Sequence, residues 1–407
     1  MKPLRGFKDI IEDSPLFSHI EQILKHSASQ HGFCEVRLPI LENIELFKRS
    51  VGEHTDIVGK EMYHFDDQNG EHIALRPEGT ASCVRAMINQ GIIGRETAKC
   101  WYTGPMFRRE RPQKGRLRQF HQFGLECFGF TSIHADIEMI QVAKKALQSL
   151  ALLSHCELHI NYLPCQSTKD LYIKSLKSYF EPYKDGLSDD LKIRLEHNPL
   201  RVLDSKDPAV IGMIDHAPRL DDFYNTQEQE EIAKIKSMLT ALDTTFSWNT
   251  KLVRGLDYYE GLVFEWQTDL LGSQSAVCGG GRYDQLSALL GGKSWPATGL
   301  SFGIERLVLM MQALNIIPQT VRKCTILCHE DQVQKAFEIQ SFISYPGQIS
   351  IDFQFSSIKK GLSRAVKQGA NHVIMIQDTL TLKNLSNSDE KSASSPQELN
   401  QLLQEQL

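Results

Sequence analysis

The sequence predicts an α+β protein that carries a smaller α/β unit toward its C-terminal end, and three observations lead there. Residues 99–129, KCWYTGPMFRRERPQKGRLRQFHQFGLECFG, place two strand-like runs around a polar loop. Its Pro112, Gln113 and Gly115 cannot continue a ladder, so the stretch reads as a long antiparallel hairpin. No repeated parallel strand–helix–strand unit accompanies it, and GGGRYD at 279–284 lacks the G-x-G-x-x-G spacing of a dinucleotide-binding fold. From residue 324 onward, short strands alternate with helical patterns, as in a small α/β domain.

With 407 residues, 41% hydrophobic and 23% charged, the chain has material for two or three domains. A net charge of -5 excludes a nucleic-acid binder held by bulk charge, so any such contact must be local. The 9 cysteines are scattered and odd in number, with no C-x-x-C pair, which disfavours both a disulfide framework and a thiolate metal site. Cys324 and Cys328 alternate with apolar residues and read as core. MKPLRGFKDI has no apolar signal core and no long apolar segment follows, so a cytoplasmic protein without membrane contact is expected.

Taken in order, Ser14 followed by Pro15 reads as an N-cap with proline in the first turn, and Leu16, Ile20, Ile23 and Leu24 recur at helical spacing up to Gly32. Residues 33–40 alternate as a strand with Pro39 near its end, and 41–50 read as a helix marked by Ile44, Phe47 and Lys48. Two short strands, 62–65 and 73–75, are joined through Asn69-Gly70, the signal of a two-residue hairpin. LRPEGT at 75–80 comes next. Thr80 can cap a helix over 81–89, and Glu78 has two readings: a carboxylate that favours the helix dipole, or a fixer of a cation such as a substrate ammonium.

In the hairpin loop, Arg108, Arg109, Arg111, Lys114, Arg116 and Arg118 stand against the single carboxylate Glu110. Such a loop is either merely solvated or a phosphate site. Alternation puts Phe120, Gln122, Gly124 and Glu126 on one face of the second strand, and His121, Phe123, Leu125 and Cys127 on the other. The same count groups Tyr102, Gly104, Met106 and Arg108 on the first strand. A glutamate on a strand packed for burial needs a partner. One face is packing and the other is a site, suited to a nucleotide beside a small polar molecule.

Ser132 precedes a helix over 135–150, with Ile137, Ile140, Ala143 and Leu147 on one stripe, and 157–162 returns as a strand. Charged helical patterns broken by Pro182, Pro199, Pro208 and Pro218 fill 163–246, which reads as a helical insertion without a catalytic constellation. The core pattern resumes at 252–268, LVRGLDYYEGLVFEWQT, where Leu262, Phe264 and Trp266 alternate with Val263, Glu265 and Gln267. Arg254, Asp257, Tyr258 and Tyr259 crowd the mouth of that strand, as a pocket wall or as half-buried packing. VCGGGRYDQL at 277–286 puts three glycines where a backbone must pass something closely, then starts a helix. GLSFGIERLVLMMQAL at 299–314 reads as strand then helix, with Arg306 in the first turn and Leu307, Met310, Met311 and Leu314 facing the core.

A junction at 315–322, with Pro318, sets off the second unit: strand 324–328, helix 332–343, strand 349–355, helix 358–369 and strand 372–376. The second of these helices carries a basic stripe of Lys359, Lys360, Arg364 and Lys367, which is solvated or meets RNA phosphates. A polar run at 386–395 leads to a last helix capped by Ser395 and Glu398.

FRRERPQKGRLRQF followed by HQFGLECFG resembles the second signature of class II aminoacyl-tRNA synthetases, in the form found in the bacterial histidyl-tRNA synthetase family. Strand, proline and helix at 33–50 resemble the first signature. GLSFGIERLVLMMQAL resembles the third, with Ser301 where the general pattern has glycine. LRPEGT matches the histidyl family in this position, and RGLDYY and GGGRYD resemble its two peculiar signatures. The resemblance implies a class II antiparallel sheet flanked by helices over residues 1–320, interrupted by the insertion at about 163–246, and an anticodon-binding domain over 321–407. In that last domain FQFSS replaces the glycine-rich run of many relatives, and the end after Asp378 looks shortened.

By the same likeness the chain is an enzyme that joins L-histidine to tRNA(His) through histidyl-adenylate, as a cytoplasmic homodimer. The resemblance implies Arg108 and Arg254 at the ATP α-phosphate, Arg116 and Arg306 on the remaining phosphates, Phe120 stacked on adenine, and Mg²⁺ accompanying ATP. Glu78, Gly79 and Thr80 would fix the ammonium, and Gln122 and Arg254 would hold the substrate. Glu126 with Tyr259 would read the imidazole edge, and Tyr258 and Tyr283 would line the pocket. No protein general base and no metal-ligating set stands out. Two alternatives belong to other classes: a catalytically silent relative that binds histidine as a regulatory subunit of histidine biosynthesis, and a free-standing amino-acid adenylating enzyme with another acceptor.

Overall fold

The computed structural model describes residues 1–407 apart from 53, 54, 56, 198, 204–207, 215, 257, 273, 274, 318–321 and 407. It divides into two compact units, Met1–Ile316 and Ile317–Leu407. Asp257, Pro318 and the 320/321 boundary lie outside the described residues.

The first unit begins with α1 (Ser14–Gln30), which buries Ile20, Leu24 and Ala28 on one stripe and ends where Gly32 takes φ +77°. Asp13 occupies the cap position without a side-chain bond, so Ser14 opens the first turn instead of capping it. Of the strand expected over 33–40, only β1 (Cys34–Glu35) forms. The Leu38 and Pro39 carbonyls instead accept from the Arg76 guanidinium at 3.1 and 3.4 Å, and Pro39 has no N–H to offer a ladder. Residues 41–43, expected as helix, are a strand, β2 (Leu41–Asn43), and α2 (Ile44–Val51) starts after it because the Asn43 side chain accepts from the Glu45 N–H.

With β3 (Tyr63–Asp66) and β4 (His72–Leu75), β2 makes a small antiparallel sheet in the order β2-β4-β3. The connection is not a two-residue Asn69-Gly70 turn. It spans 67–71, organised by the Asp67 carboxylate, which accepts from the N–H groups of Asn69 and Glu71, with Gly70 at φ +81°.

α3 (Thr80–Asn89) leads to the long hairpin, β5 (Ala98–Phe107) and β6 (Gln119–Phe128), paired antiparallel with Cys100 opposite Glu126 and Gly104 opposite Gln122. Its loop is held at its base, where the Arg118 N–H donates to the Gly6 carbonyl at 2.8 Å and the Arg109 N–H to Glu61 at 2.6 Å. α4 (Ile133–Ser149), capped by Ser132, and β7 (Glu157–Leu163) follow. Four helices then come in succession, α5 (Gln166–Phe180), α6 (Asp189–His197), α7 (Pro208–Ile214) and α8 (Thr226–Ala241). The unit closes with β8 (Ser247–Trp248), β9 (Glu260–Gln267), β10 (Ala276–Arg282), α9 (Leu286–Leu289), β11 (Ala297–Gly303) and α10 (Ile304–Ala313).

Eight strands form the main sheet in the order β1-β5-β6-β11-β10-β9-β7-β8, antiparallel inside and parallel only at the two edges. One face carries Phe123, Leu125, Leu158, Ile160, Phe264, Trp266 and Phe302, which share a core with α1, α4 and α10. Tyr172, Leu176, Phe180, Ile232, Ile235 and Leu239 of α5 and α8 belong to that same core. The other face carries Tyr102, Met106, Phe120 and Glu126.

The second unit has β12 (Arg322–Leu327), α11 (Val333–Phe342), β13 (Gly347–Ile351), α12 (Ile358–Lys367), β14 (His372–Ile376), β15 (Leu380–Asn384), β16 (Glu390–Ala393) and α13 (Pro396–Glu405). The sheet order is β13-β12-β14-β15-β16, parallel over the first three strands and antiparallel over the rest. Cys324, Ile326, Ile374 and Ile376 pack with α11 and α13, while Leu327, Val373 and Met375 pack under Ala365 of α12. The polar run at 386–395 conceals a hairpin: Leu380, Leu382 and Ala393 are buried, and only 386–389 of the turn between β15 and β16 are wholly polar. Strand β13 stops at Ile351, short of the expected 355. On α12, Lys359, Lys360 and Lys367 are exposed, but Arg364 turns inward to the Asp352 carboxylate and to Ser356 Oγ.

Candidate active site

The site lies on the second face of the main sheet, and its deepest group is Glu126 on β6, 0% exposed. Three hydroxyls converge on that carboxylate. Thr80 Oγ1 donates to Oε1 at 2.8 Å, Tyr102 OH donates to the same oxygen at 2.9 Å, and Tyr283 OH donates to Oε2. Burial pushes Glu126 up to about 8, against the lowering effect of these donors.

Glycines make the space. A Cβ at Gly79 or Gly124 would overlap the Tyr102 ring, and one at Gly299, directly across from Glu126 in the β6–β11 register, would overlap the carboxylate itself. Tyr258, Tyr259 and Tyr283 pack around one another with ring centroids 4.7 to 6.3 Å apart.

Glu78 acts here as the cap of α3. Its Oε2 accepts from the Thr80 N–H at 2.6 Å and its Oε1 from the Ala81 N–H at 2.9 Å. The expected Thr80 cap is absent because the Thr80 hydroxyl is spent on Glu126, while Gly79 fills the cap position. Glu78 is 3% exposed; burial raises its pKa, and the two N–H donors and the Arg108 charge oppose that rise.

Four arginines stand along the same face. Arg108 Nε donates to the Pro77 carbonyl at 2.9 Å, and its guanidinium lies 5.2 Å from the Phe120 ring centroid. Arg306, in the first turn of α10, donates from Nη1 to the Ala276 carbonyl at 2.5 Å and from Nε to Gly115 at 3.3 Å. Arg116 turns onto the Glu110 carboxylate and lies 3.9 Å from Glu61. Arg254 pairs with Glu265 and sits 5.6 Å from the Tyr259 ring centroid. Burial lowers Arg108 and Arg306; on Arg108 the Glu61 and Glu78 carboxylates oppose that fall and Arg254 adds to it, while Arg108 and Arg116 add to it on Arg306. Like charges gathered under burial favour an anionic ligand. Gln122 is half-buried between Gly104 and Gly303 in the registers of β5 and β11.

The pocket thus brings together Glu78, Gly79, Thr80, Glu126, Tyr258, Tyr259 and Tyr283, with Arg108, Phe120, Gln122, Arg254 and Arg306 beside it, whereas Arg116 is turned onto acids of the hairpin loop and its surroundings. Other contributors had escaped the sequence reading. Tyr102 is one of the hydroxyl donors to Glu126, although it had only been grouped on the site face. Arg76, 2% exposed, ties Pro105 to Leu38 and Pro39. Arg282 staples β10 to α4 through Asp136, at 2.8 Å from Nη2, and through the Phe130 and Ser132 carbonyls. Burial pushes Asp136 up to about 6 against that pairing. Asp136 on the apolar stripe of α4 is the signal that an ion pair had to meet it. Among the described residues no cluster of His, Cys, Asp or Glu could hold a metal ion, and no helix is long and apolar enough to cross a membrane.

The family model described as histidyl-tRNA synthetase matches residues 7–164 and 206–307. A histidine–tRNA ligase from Marinomonas sp. (strain MWYL1) is 48% identical over 326 residues, covering 80% of this chain and 77% of the relative. Among solved structures, apo histidyl-tRNA synthetase from S. aureus superposes with a TM-score of 0.80 at 29% identity, covering 100% of this chain and 99% of that one. An ATP phosphoribosyltransferase regulatory subunit/histidyl-tRNA synthetase from Bacillus halodurans C shares the fold with a TM-score of 0.64 at 21% identity, covering 92% of this chain and 97% of that one.

Proposed function

The chain belongs to the histidyl-tRNA synthetase family, and from that premise we propose that it ligates L-histidine to tRNA(His) in two steps through histidyl-adenylate. The observation that carries this reading is the juxtaposition, on one face of a class II antiparallel sheet, of a buried glutamate ringed by hydroxyls with Arg108, Arg254 and Arg306. The first group suits a small polar side chain, and the arginines suit polyphosphate.

In the first step the histidine carboxylate attacks the α-phosphorus of ATP and pyrophosphate leaves. In the second, a hydroxyl at the 3′ end of the tRNA attacks the activated carbonyl and AMP leaves. ATP enters as its Mg²⁺ complex, which is a substrate. Transfer of this kind needs charge placed where the transition state develops it, more than a protein nucleophile. Arg108 and Arg254 supply it at the α-phosphate, Arg116 and Arg306 bind the outer phosphates, and Phe120 stacks on adenine. Glu126 and Tyr259 accept and donate at the imidazole edge, beside Tyr258 and Tyr283. Glu78, with Gly79 and Thr80, binds the ammonium through the lone pairs that capping leaves over, and Gln122 holds the histidine main chain.

The protein works in the cytoplasm as a homodimer. Ile40, Leu41 and Phe65, 41, 47 and 48% exposed at the small sheet, supply apolar surface for such an interface. Amino-acid-dependent exchange of pyrophosphate into ATP tests the function. Histidine is expected to be the one amino acid of the standard set that supports exchange, and comparable exchange with glutamine or asparagine overturns the assignment. Full exchange without any charging of tRNA(His) leaves an adenylating enzyme with another acceptor, and histidine binding without exchange leaves a regulatory subunit.

The second unit serves as the anticodon-binding domain. Every residue assigned to ATP or histidine precedes Ile316, the end of the first unit. A fragment ending there is expected to keep histidine-dependent exchange while its charging of tRNA(His) drops by ~10-fold or more. Loss of both activities in parallel, in a fragment with native-like circular dichroism, removes this division of labour.

A further inference from the structure

Glu265 belongs to none of the signatures that mark this family in the sequence, yet it is half of an ion pair with Arg254 on the phosphate side of the site. It stands on β9 opposite Gly279 of β10, and Arg254 reaches over that glycine to meet it. A Cβ at residue 279 would lie 2.5 Å from Arg254 Nη1 and 2.8 Å from its Cζ, so the guanidinium rests directly on the strand backbone. Glu265 Oε1 takes Nη1, and Glu265 Oε2 accepts from Gln267 Nε2 at 2.8 Å. The Tyr259 ring lies 5.6 Å away, and Arg254 Nε is buried with no hydrogen-bond partner among the described residues. The two side chains are only 18 and 16% exposed.

A guanidinium presents its donors in one plane. Tying Nη1 to a carboxylate that is itself braced fixes that plane and leaves the orphaned Nε edge for a ligand. We propose that Glu265, braced by Gln267, is a positioning residue that holds Arg254 edge-on to the reacting phosphate. The proposal rests on the assignment of Arg254 to the α-phosphate. It explains why a glycine stands at 279 and why a buried cation is stable before ATP arrives, since an unpaired guanidinium there would be strongly unfavourable.

The test is single-turnover adenylate formation with the full chain. Glu265→Gln keeps shape and an acceptor but loses the charge; Glu265→Ala loses both. The expected slowing is ~10-fold for the first and ~100-fold for the second, with the ATP KM within about 3-fold of the parent and unchanged histidine binding. In an Arg254→Ala background the Glu265→Gln change is expected to have no further effect, because the two residues act as a unit. Histidine binding by the variants, measured calorimetrically, reports that the site is still folded. Parental rates in both variants overturn the proposal, as do additive losses in the double variant. A raised Mg²⁺ requirement also overturns it, by making Glu265 a metal ligand. If Arg254→Ala itself reacts at the parental rate, the assignment of Arg254 fails, which is a separate result.

Discussion

Arg254→His is expected to slow adenylation by about 10² to 10³, equivalent to roughly 3 to 4 kcal/mol of transition-state stabilisation. The guanidinium is buried and already oriented by Glu265 and the Tyr259 face, so no reorganisation accompanies the reaction. On the proposed assignment its Nε edge, which has no hydrogen-bond partner among the described residues, would meet negative charge that grows on the phosphate only as the bond to pyrophosphate breaks. An interaction realised mainly in the transition state lowers kcat and leaves ground-state binding alone. The KM values for ATP and histidine are therefore expected to stay within a few-fold. Lysine should restore the rate only in part, since a point charge cannot reproduce directed N–H donors in one plane. Pre-steady-state measurement of adenylate decides the matter: a normal chemical step with weakened ATP binding would make Arg254 a ground-state clamp.

Glu126→Ala should raise the histidine KM by about 10² to 10³ and leave the ATP KM within a few-fold, because deletion strands the substrate N–H together with the hydroxyls of Thr80, Tyr102 and Tyr283. The same carboxylate sets a pH dependence. Its folded-state pKa of about 8 lies above the ordinary 4.5, so between those values the ligand-free folded protein holds a proton that the unfolded chain has lost. Stability from this group is greatest at the acid end and is lost as pH rises toward 8, with a slope of at most ~1.4 kcal/mol per pH unit. Histidine binding runs the opposite way, since the carboxylate is the better acceptor for an imidazole N–H. Thermal unfolding of the ligand-free protein from pH 6 to 9 should show the decline, and Glu126→Gln should flatten it. An equal slope in that variant would assign the dependence to another group.

The hairpin was legible because a strand period of two admits no ambiguity once both of its runs are long. Phe123, Leu125 and Cys127 had to face the core, which left Phe120, Gln122 and Glu126 on the site face. Short elements were less legible because side chains remote in sequence decide them. Arg76 takes carbonyls that the 33–40 strand would have used, and Asp67 reshapes a turn that Asn69-Gly70 seemed to specify. Thr80 illustrates competition for one hydroxyl: a buried carboxylate 46 positions away outbids the local N–H groups, and Glu78 serves them instead. Glu265 was visible only as one member of an alternating strand, since nothing local reveals that Arg254 crosses a glycine to reach it. The β15–β16 hairpin was lost in a serine-rich background, although Leu380 and Leu382 already alternate with polar neighbours.

The helices between β7 and β8 constrain how this chain can diverge. The matched ranges of the family omit 165–205, as if the segment were an appendage. Yet Thr168 Oγ1 donates to Glu228 of α8 at 3.0 Å, Tyr172 OH donates to the Pro218 carbonyl at 3.1 Å, and Tyr172, Leu176 and Phe180 lie in the core shared with the sheet. Such a segment is expected to unfold together with the sheet it packs on. Shortening it would strip the Glu228 carboxylate of α8 and the Pro218 carbonyl of these donors, so the length of the segment is tied to the residues that flank it.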